Sequence, residues 1–130
     1  MGLPLFKRRD SFERNVKTLK LDQNAFDSPD SEESLWVVVS EVWAHSDIDE
    51  FLQLTHSDYC YPVAPKVSDC PVYSANDLRV FLAPFTNLAK PFKIPPPEGA
   101  GWSVESDWNH RDVVYATAEY FVRVRWETSA

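Results

Sequence analysis

Between Val113 and Glu127 the chain reads V-V-Y-A-T-A-E-Y-F-V-R-V-R-W-E. Val114, Ala116, Ala118, Tyr120, Val122, Val124 and Trp126 form one apolar file, and Thr117, Glu119, Arg123, Arg125 and Glu127 dominate the other. Side chains alternate faces along a strand, so the pattern predicts one long half-buried β-strand. Its fifteen residues would extend about 45–50 Å, more than the roughly 36 Å diameter of a compact domain of this size. The strand is therefore expected to coil, bulge or project, with the bend at the small residues Ala116 and Ala118.

Upstream, Trp102, Val104 and Ser106 alternate with Ser103 and Glu105, and Asp107–Asp112 supplies turn residues. A hairpin between 102–107 and 112–127 follows. The shorter strand cannot cover the longer one, so the part beyond Tyr120 needs another partner: the segment 35–43, a sheet edge or a second chain. Leu35–Ala44 is apolar on both parities and rich in valine, which suits a strand covered on both faces at its start, favoured over a helix, the competing reading especially from Ser40 onward.

Three helices are expected from caps and spacing. Asp10 and Glu13 have capping-box spacing ahead of Val16 and Leu19, with Phe12 on the same stripe. Ser46 and Asp49 precede Phe51 and Leu52 in a helix running to about Thr55, and Ser74 and Asp77 precede Leu78, Phe81 and Leu82 in another that Pro84 ends or kinks. Pro91 and Pro95–Pro97 then enforce extended backbone, and Glu98–Gly101 forms a turn. The predicted class is α+β, a strongly twisted and mainly antiparallel sheet of about four strands with two or three short helices packed on one face.

Composition adds that 130 residues with 44% apolar content suffice for one domain with its own core. Within residues 1–130, 1–9 is read as a flexible arm, 22–34 as an acidic loop and 91–101 as a Pro/Gly-rich connector. Hydrophobic runs are too short to span a bilayer, the N-terminus lacks a secretory pattern, and Phe6 stands where a myristoylation signal carries Ser or Thr. A cytoplasmic protein is expected, with Cys60 and Cys70 as thiols, although a disulfide closing the intervening loop is geometrically conceivable.

Charge changes the picture more than composition does. Net charge is −7, and it is segregated. Residues 1–20 hold six bases against two acids, whereas Asp22, Asp27, Asp30, Glu32 and Glu33 face no base before residue 35. An acidic body repels a nucleic-acid duplex, so nucleic acid is disfavoured and a basic protein is the expected partner.

Three glycines leave neither a phosphate-cradling loop nor a dinucleotide fingerprint, and no Gly-x-Ser-x-Gly places a nucleophile. His56, Cys60 and Cys70 match no zinc spacing, and His110 beside Asp112 reads as turn chemistry. Neither metal nor cofactor is expected. Candidate binding residues are Glu119, Phe121, Arg123, Arg125 and Tyr115 on the polar file, Trp108 in the hairpin turn, and Asp30, Glu32 and Glu33 of the acidic loop. Arg123 and Arg125 could clamp an anion beside Glu119, whereas a solvated face with charges paired across strands explains them more simply. Phe121 and Tyr115 favour a face covered by a helix or another chain. The reading is a non-enzymatic acidic interaction module of inhibitor, immunity or adaptor type, with a homodimer through the C-terminal strand as one further assembly. The alternative is a small enzyme or ligand-binding domain whose curved sheet encloses a cavity on that polar face.

Overall fold

The structure, a computed structural model, describes residues 16–22, 26, 32–59 and 63–128, without the side chains of 57–59. Among these residues six strands form one antiparallel sheet: β1 (Lys17–Leu21), β2 (Glu33–Glu41), β3 (Val72–Tyr73), β4 (Gly101–Asp107), β5 (His110–Ala116) and β6 (Tyr120–Thr128). Their order is β1-β2-β6-β5-β4-β3. Among the described residues two α-helices accompany them, α1 (Ile48–Tyr59) and α2 (Ala75–Leu88).

The expected long strand is two strands. Thr117 explains the reversal: its Oγ1 accepts from Glu119 N at 3.2 Å and Tyr120 N at 3.0 Å, while its own amide donates to Tyr120 O at 2.8 Å. A hydroxyl that captures the next amides makes a turn from residues whose polarity still fits the alternation. Reversal also changes the phase. Val114 lies opposite Arg123 and Tyr115 opposite Val122, so Val114 and Ala116 share a face with Phe121 and Arg123, and Tyr115 does not. Strong twist was inferred from squeezing one fifteen-residue strand into the domain; two strands of 7 and 9 residues remove that reason.

Both edges of β6 are filled, by β2 from Glu33↔Thr128 to Glu41↔Tyr120 and by β5. The expected partnership of the distal half with 35–43 is present. A homodimer paired through this strand would need a free edge there, and the sheet has its edges at β1 and β3 instead. The β4–β5 hairpin turns at Trp108–Asn109, tighter than Asp107–Asp112, because Trp108 N donates to Asp107 Oδ1 at 2.8 Å and pairing resumes at Asp107↔His110.

The helices lie on opposite faces, not on one. Leu78, Leu82 and Phe85 of α2 join Val37, Val39, Val113, Tyr115, Val122 and Val124 in one core. Phe51 of α1 joins Trp36, Val38, Val114 and Phe121 in the other. Alternation along β2 assigns odd positions to the α2 core and even positions to the α1 core, so the valine run is buried on both sides as expected. The segment expected to be helical from Asp10 is strand at Lys17–Leu21, and 10–15 lie outside the described residues. Val16 packs with the α1 core and Leu19 with the α2 core, an arrangement that a three-residue step produces on a strand.

Local chemistry fixes the two helix starts. Ser74 Oγ accepts from Asp77 N at 3.1 Å, as its spacing predicts. In α1 the cap is Asp47, whose Oδ1 accepts from Glu50 N at 2.8 Å, while Glu50 reaches back to Ser46 N at 3.2 Å; the box sits one residue from the expected Ser46 and Asp49. Pro84 is exposed and α2 continues through it to Leu88; the lost amide bond falls on the solvent side. Gly101 opens β4 because a Cβ there would meet Val114 O at 2.5 Å and Tyr115 Cβ at 2.7 Å.

Candidate interaction surface

The polar file of β6 is buried under α1, contrary to a solvated sheet face. Arg123 is fully buried with Asp112. Its Nε donates to Asp112 Oδ1 at 3.0 Å and its Nη2 to Asp112 Oδ2 at 2.7 Å, a bidentate fork. The remaining donors address α1: Nη1 reaches Thr55 Oγ1 at 2.9 Å and Leu52 O at 3.4 Å, and Nη2 contacts His56 Nδ1 at 3.1 Å. The guanidinium also stands 5.6 Å from the Trp36 ring centroid. Arg125 shares Asp112 Oδ2 at 3.1 Å and pairs with Glu105 at 3.2 Å and Glu127 at 2.7 Å. Asp112, read from the sequence as a turn residue, is the centre of this network. An arginine whose five donors are directed inward leaves no fork for an external anion.

Burial and the Arg123 guanidinium push the His56 imidazole below its ordinary value. The neutral ring is the form whose Nδ1 lone pair can accept from Arg123. Burial first, then Asp69 and Asp49, hold the Cys70 thiol above its ordinary value, which disfavours the thiolate. Cys70 is a free thiol, and Cys60 lies outside the described residues. No cluster of three His, Cys, Asp or Glu able to hold a metal occurs among the described residues.

Other sequence candidates scatter. Tyr115 faces the α2 core; its hydroxyl donates to Pro95 O at 2.5 Å, and burial raises its titration above the ordinary phenol value. Phe121 is buried and stacks on Phe51 at 5.5 Å. Trp108 is 72% exposed at the β4–β5 turn. Glu33 accepts from Trp126 Nε1 at 3.0 Å, Glu32 is exposed with φ 52°, and Asp30 is outside the described residues.

Ser40, His45 and Glu50 have the outline of a nucleophile, base and orienting acid. Ser40 Oγ is 2.7 Å from His45 Nε2, and His45 Nδ1 is 3.8 Å from Glu50 Oε1. Ser40 is fully buried and His45 packs edge-on against Phe51 at 5.3 Å. No substrate can reach that hydroxyl, so the trio ties the end of β2 to the start of α1.

The opposite situation holds at the sheet end beside it. A 3₁₀ turn, Val42–Ala44, leaves β2 and is fastened to the β5–β6 turn by Val42 N donating to Glu119 O at 3.0 Å. It pushes Trp43 outward, 61% exposed, with its indole N–H donating to the Glu41 carboxylate. Glu41, Trp43, Glu119 and Tyr120 border a hollow of about 350 Å³. Glu98 adds a third carboxylate, accepting from Ala118 N at 2.6 Å. Of the sequence candidates only Glu119 belongs here. Trp43 and Glu41 were hidden in an apolar run read as continuous strand; the polar Ser40-Glu41 step within it was the available signal of an ending.

Among the described residues no helix is long and apolar enough to cross a membrane. No protein-family model, curated protein or solved structure matches this chain.

Proposed function

We propose that this chain is a non-enzymatic, cytoplasmic interaction module that binds a basic protein through the sheet end carrying Trp43. The observation behind this reading is an exposed indole hydrogen-bonded to the Glu41 carboxylate, with Glu119 lining the same hollow. A tryptophan face accepts a guanidinium, and adjacent carboxylates take its N–H groups, so a partner arginine finds stacking and charge-assisted hydrogen bonds together. Aromatic anchors with a charged rim are where binding free energy concentrates in protein interfaces. The acidic excess of the chain, −7, adds long-range attraction for such a partner.

The test uses immobilised wild type, Trp43→Ala and Glu41→Lys in a cognate lysate at low and high salt. Wild type is expected to retain a basic protein that raised salt releases, and both variants are expected to lose it while their folding stability changes by no more than about 0.5 kcal/mol. Retention unchanged in both variants, or no basic protein retained at low salt, would overturn the reading.

A further inference from the structure

A second surface has the opposite charge. Beneath β1 on the α2 side, two adjoining cavities of about 980 and 610 Å³ share Lys17, Lys90, Phe92 and Lys93. Together they make one trough, with Leu19 and Leu21 of β1 on one wall and the proline-rich connector after α2 on the other. Among the described residues its titratable side chains are the three lysines and Tyr120, with no carboxylate in the lining. None of these lysines has an ion-pair partner among the described residues. In a chain with 20 acidic and 13 basic residues, an apolar trough rimmed by lysine alone is a departure from the rest of the surface.

Above the trough runs an open sheet edge. Among the described residues β1 pairs with β2 alone, so every second residue of Lys17–Leu21 directs its backbone N–H and C=O away from β2. Lysines on an edge strand commonly guard it against pairing, and Lys17 and Lys20 fit that role. Lys90 and Lys93 are not on the strand; they stand across the trough from it, where guarding does not explain them. We propose that this trough and edge bind an extended segment of another protein in which apolar and acidic residues alternate. The segment adds to β1 as a seventh strand, its apolar side chains enter the trough, and its carboxylates meet Lys17, Lys90 and Lys93. A helical or compact anionic ligand would leave the backbone edge unused. This partner is chemically distinct from the basic one proposed for the Trp43 end, so the two can be tested separately.

The probes are fluorescein-labelled synthetic heptapeptides in which Val and Ile alternate with Glu, Ser or Lys, titrated against the full chain by anisotropy at low salt. The Glu series is expected to bind about tenfold more tightly than the Ser series, and the Lys series not to bind. Lys90→Glu with Lys93→Glu, both exposed positions, is expected to reverse the preference with an unchanged far-ultraviolet spectrum. Hydrogen exchange should slow at residues 17–21 when the Glu peptide binds. Absence of binding by the Glu series, equal binding by the charge-reversed variant, or no slowing at 17–21 would overturn the proposal. So would a dimer of this chain that already protects those amides without peptide.

Discussion

The two faces of the sheet are closed by different physics. On the α2 side, Leu78, Leu82 and Phe85 meet valines and Tyr115, and the contact is almost wholly apolar. On the α1 side, Phe51, Phe121, Trp36 and Val38 cover one part, and Arg123, Asp112 and Arg125 fill the rest. Apolar packing stabilises in proportion to area and tolerates sliding. A buried ion pair adds little net stability, because desolvation offsets its attraction. What it adds here is position: Arg123 names Leu52 O, Thr55 and His56 individually, so a helix shifted by one residue would leave buried donors unpaired. One face is held by amount, the other by address.

Breaking the pair tests that contrast most severely. Asp112→Ala leaves the fully buried Arg123 without its counter-ion and should cost about 3–5 kcal/mol in urea unfolding. Arg123→Met combined with Asp112→Leu should recover most of that loss; if the double variant is as unstable as the single one, the network contributes stability and not only position. Leu78→Ala, on the apolar face and fully buried, should cost about 3 kcal/mol by the same measurement, with a pH profile parallel to wild type. A profile that changes shape would mean the two faces are coupled.

Smaller effects sharpen the comparison. Ser74→Ala removes the α2 cap and should cost about 1 kcal/mol, read as a shift of the urea midpoint at constant slope. The smallest effect is confined to the α1 side. Because the His56 value is lowered in the folded state, the unfolded chain takes up the proton first on acidification. The stability carried by neutral His56 is complete above the ordinary imidazole value and is lost as pH falls through the lowered folded value. His56→Gln should flatten the wild-type curve in that interval, and identical curves for the two proteins would show that the imidazole carries none of the dependence.

Much of the frame was legible where local chemistry decides it. The Ser74 cap, the β4–β5 hairpin and the doubly buried Leu35–Val39 run follow from residues adjacent in sequence, and lack of coverage showed that the last strand needed a further partner, with 35–43 one of three alternatives. The turn at Thr117–Glu119 was not legible, because Thr117, Ala118 and Glu119 continue the polar–apolar alternation while the Thr117 hydroxyl reverses the chain. Helix faces were hidden for a different reason: the apolar stripe of α1 or α2 says that a side is covered but not which side of the sheet covers it. Arg123 illustrates the limit for the site. A charged residue at an alternating position reads as solvent-facing unless its counter-ion is known, and Asp112 becomes its neighbour only after the hairpin forms. Trp43 was obscured by the opposite error, an apolar residue assumed to be inside.

The strand order has a consequence for how the molecule is assembled. β6 is the last strand in sequence yet lies third in the sheet, and its pairing Glu33↔Thr128 joins the beginning of β2 to its own end. Until β6 is available, the chain can build a β1–β2 pair and a β3–β4–β5 sheet, two halves each with an edge of unpaired backbone N–H and C=O groups. Closing them is a single late event of long sequence separation, which makes folding slow relative to proteins with local contacts and exposes the two unfinished edges to other chains during synthesis. Of the described strands, the one at the centre of the pairing is the last to be synthesised.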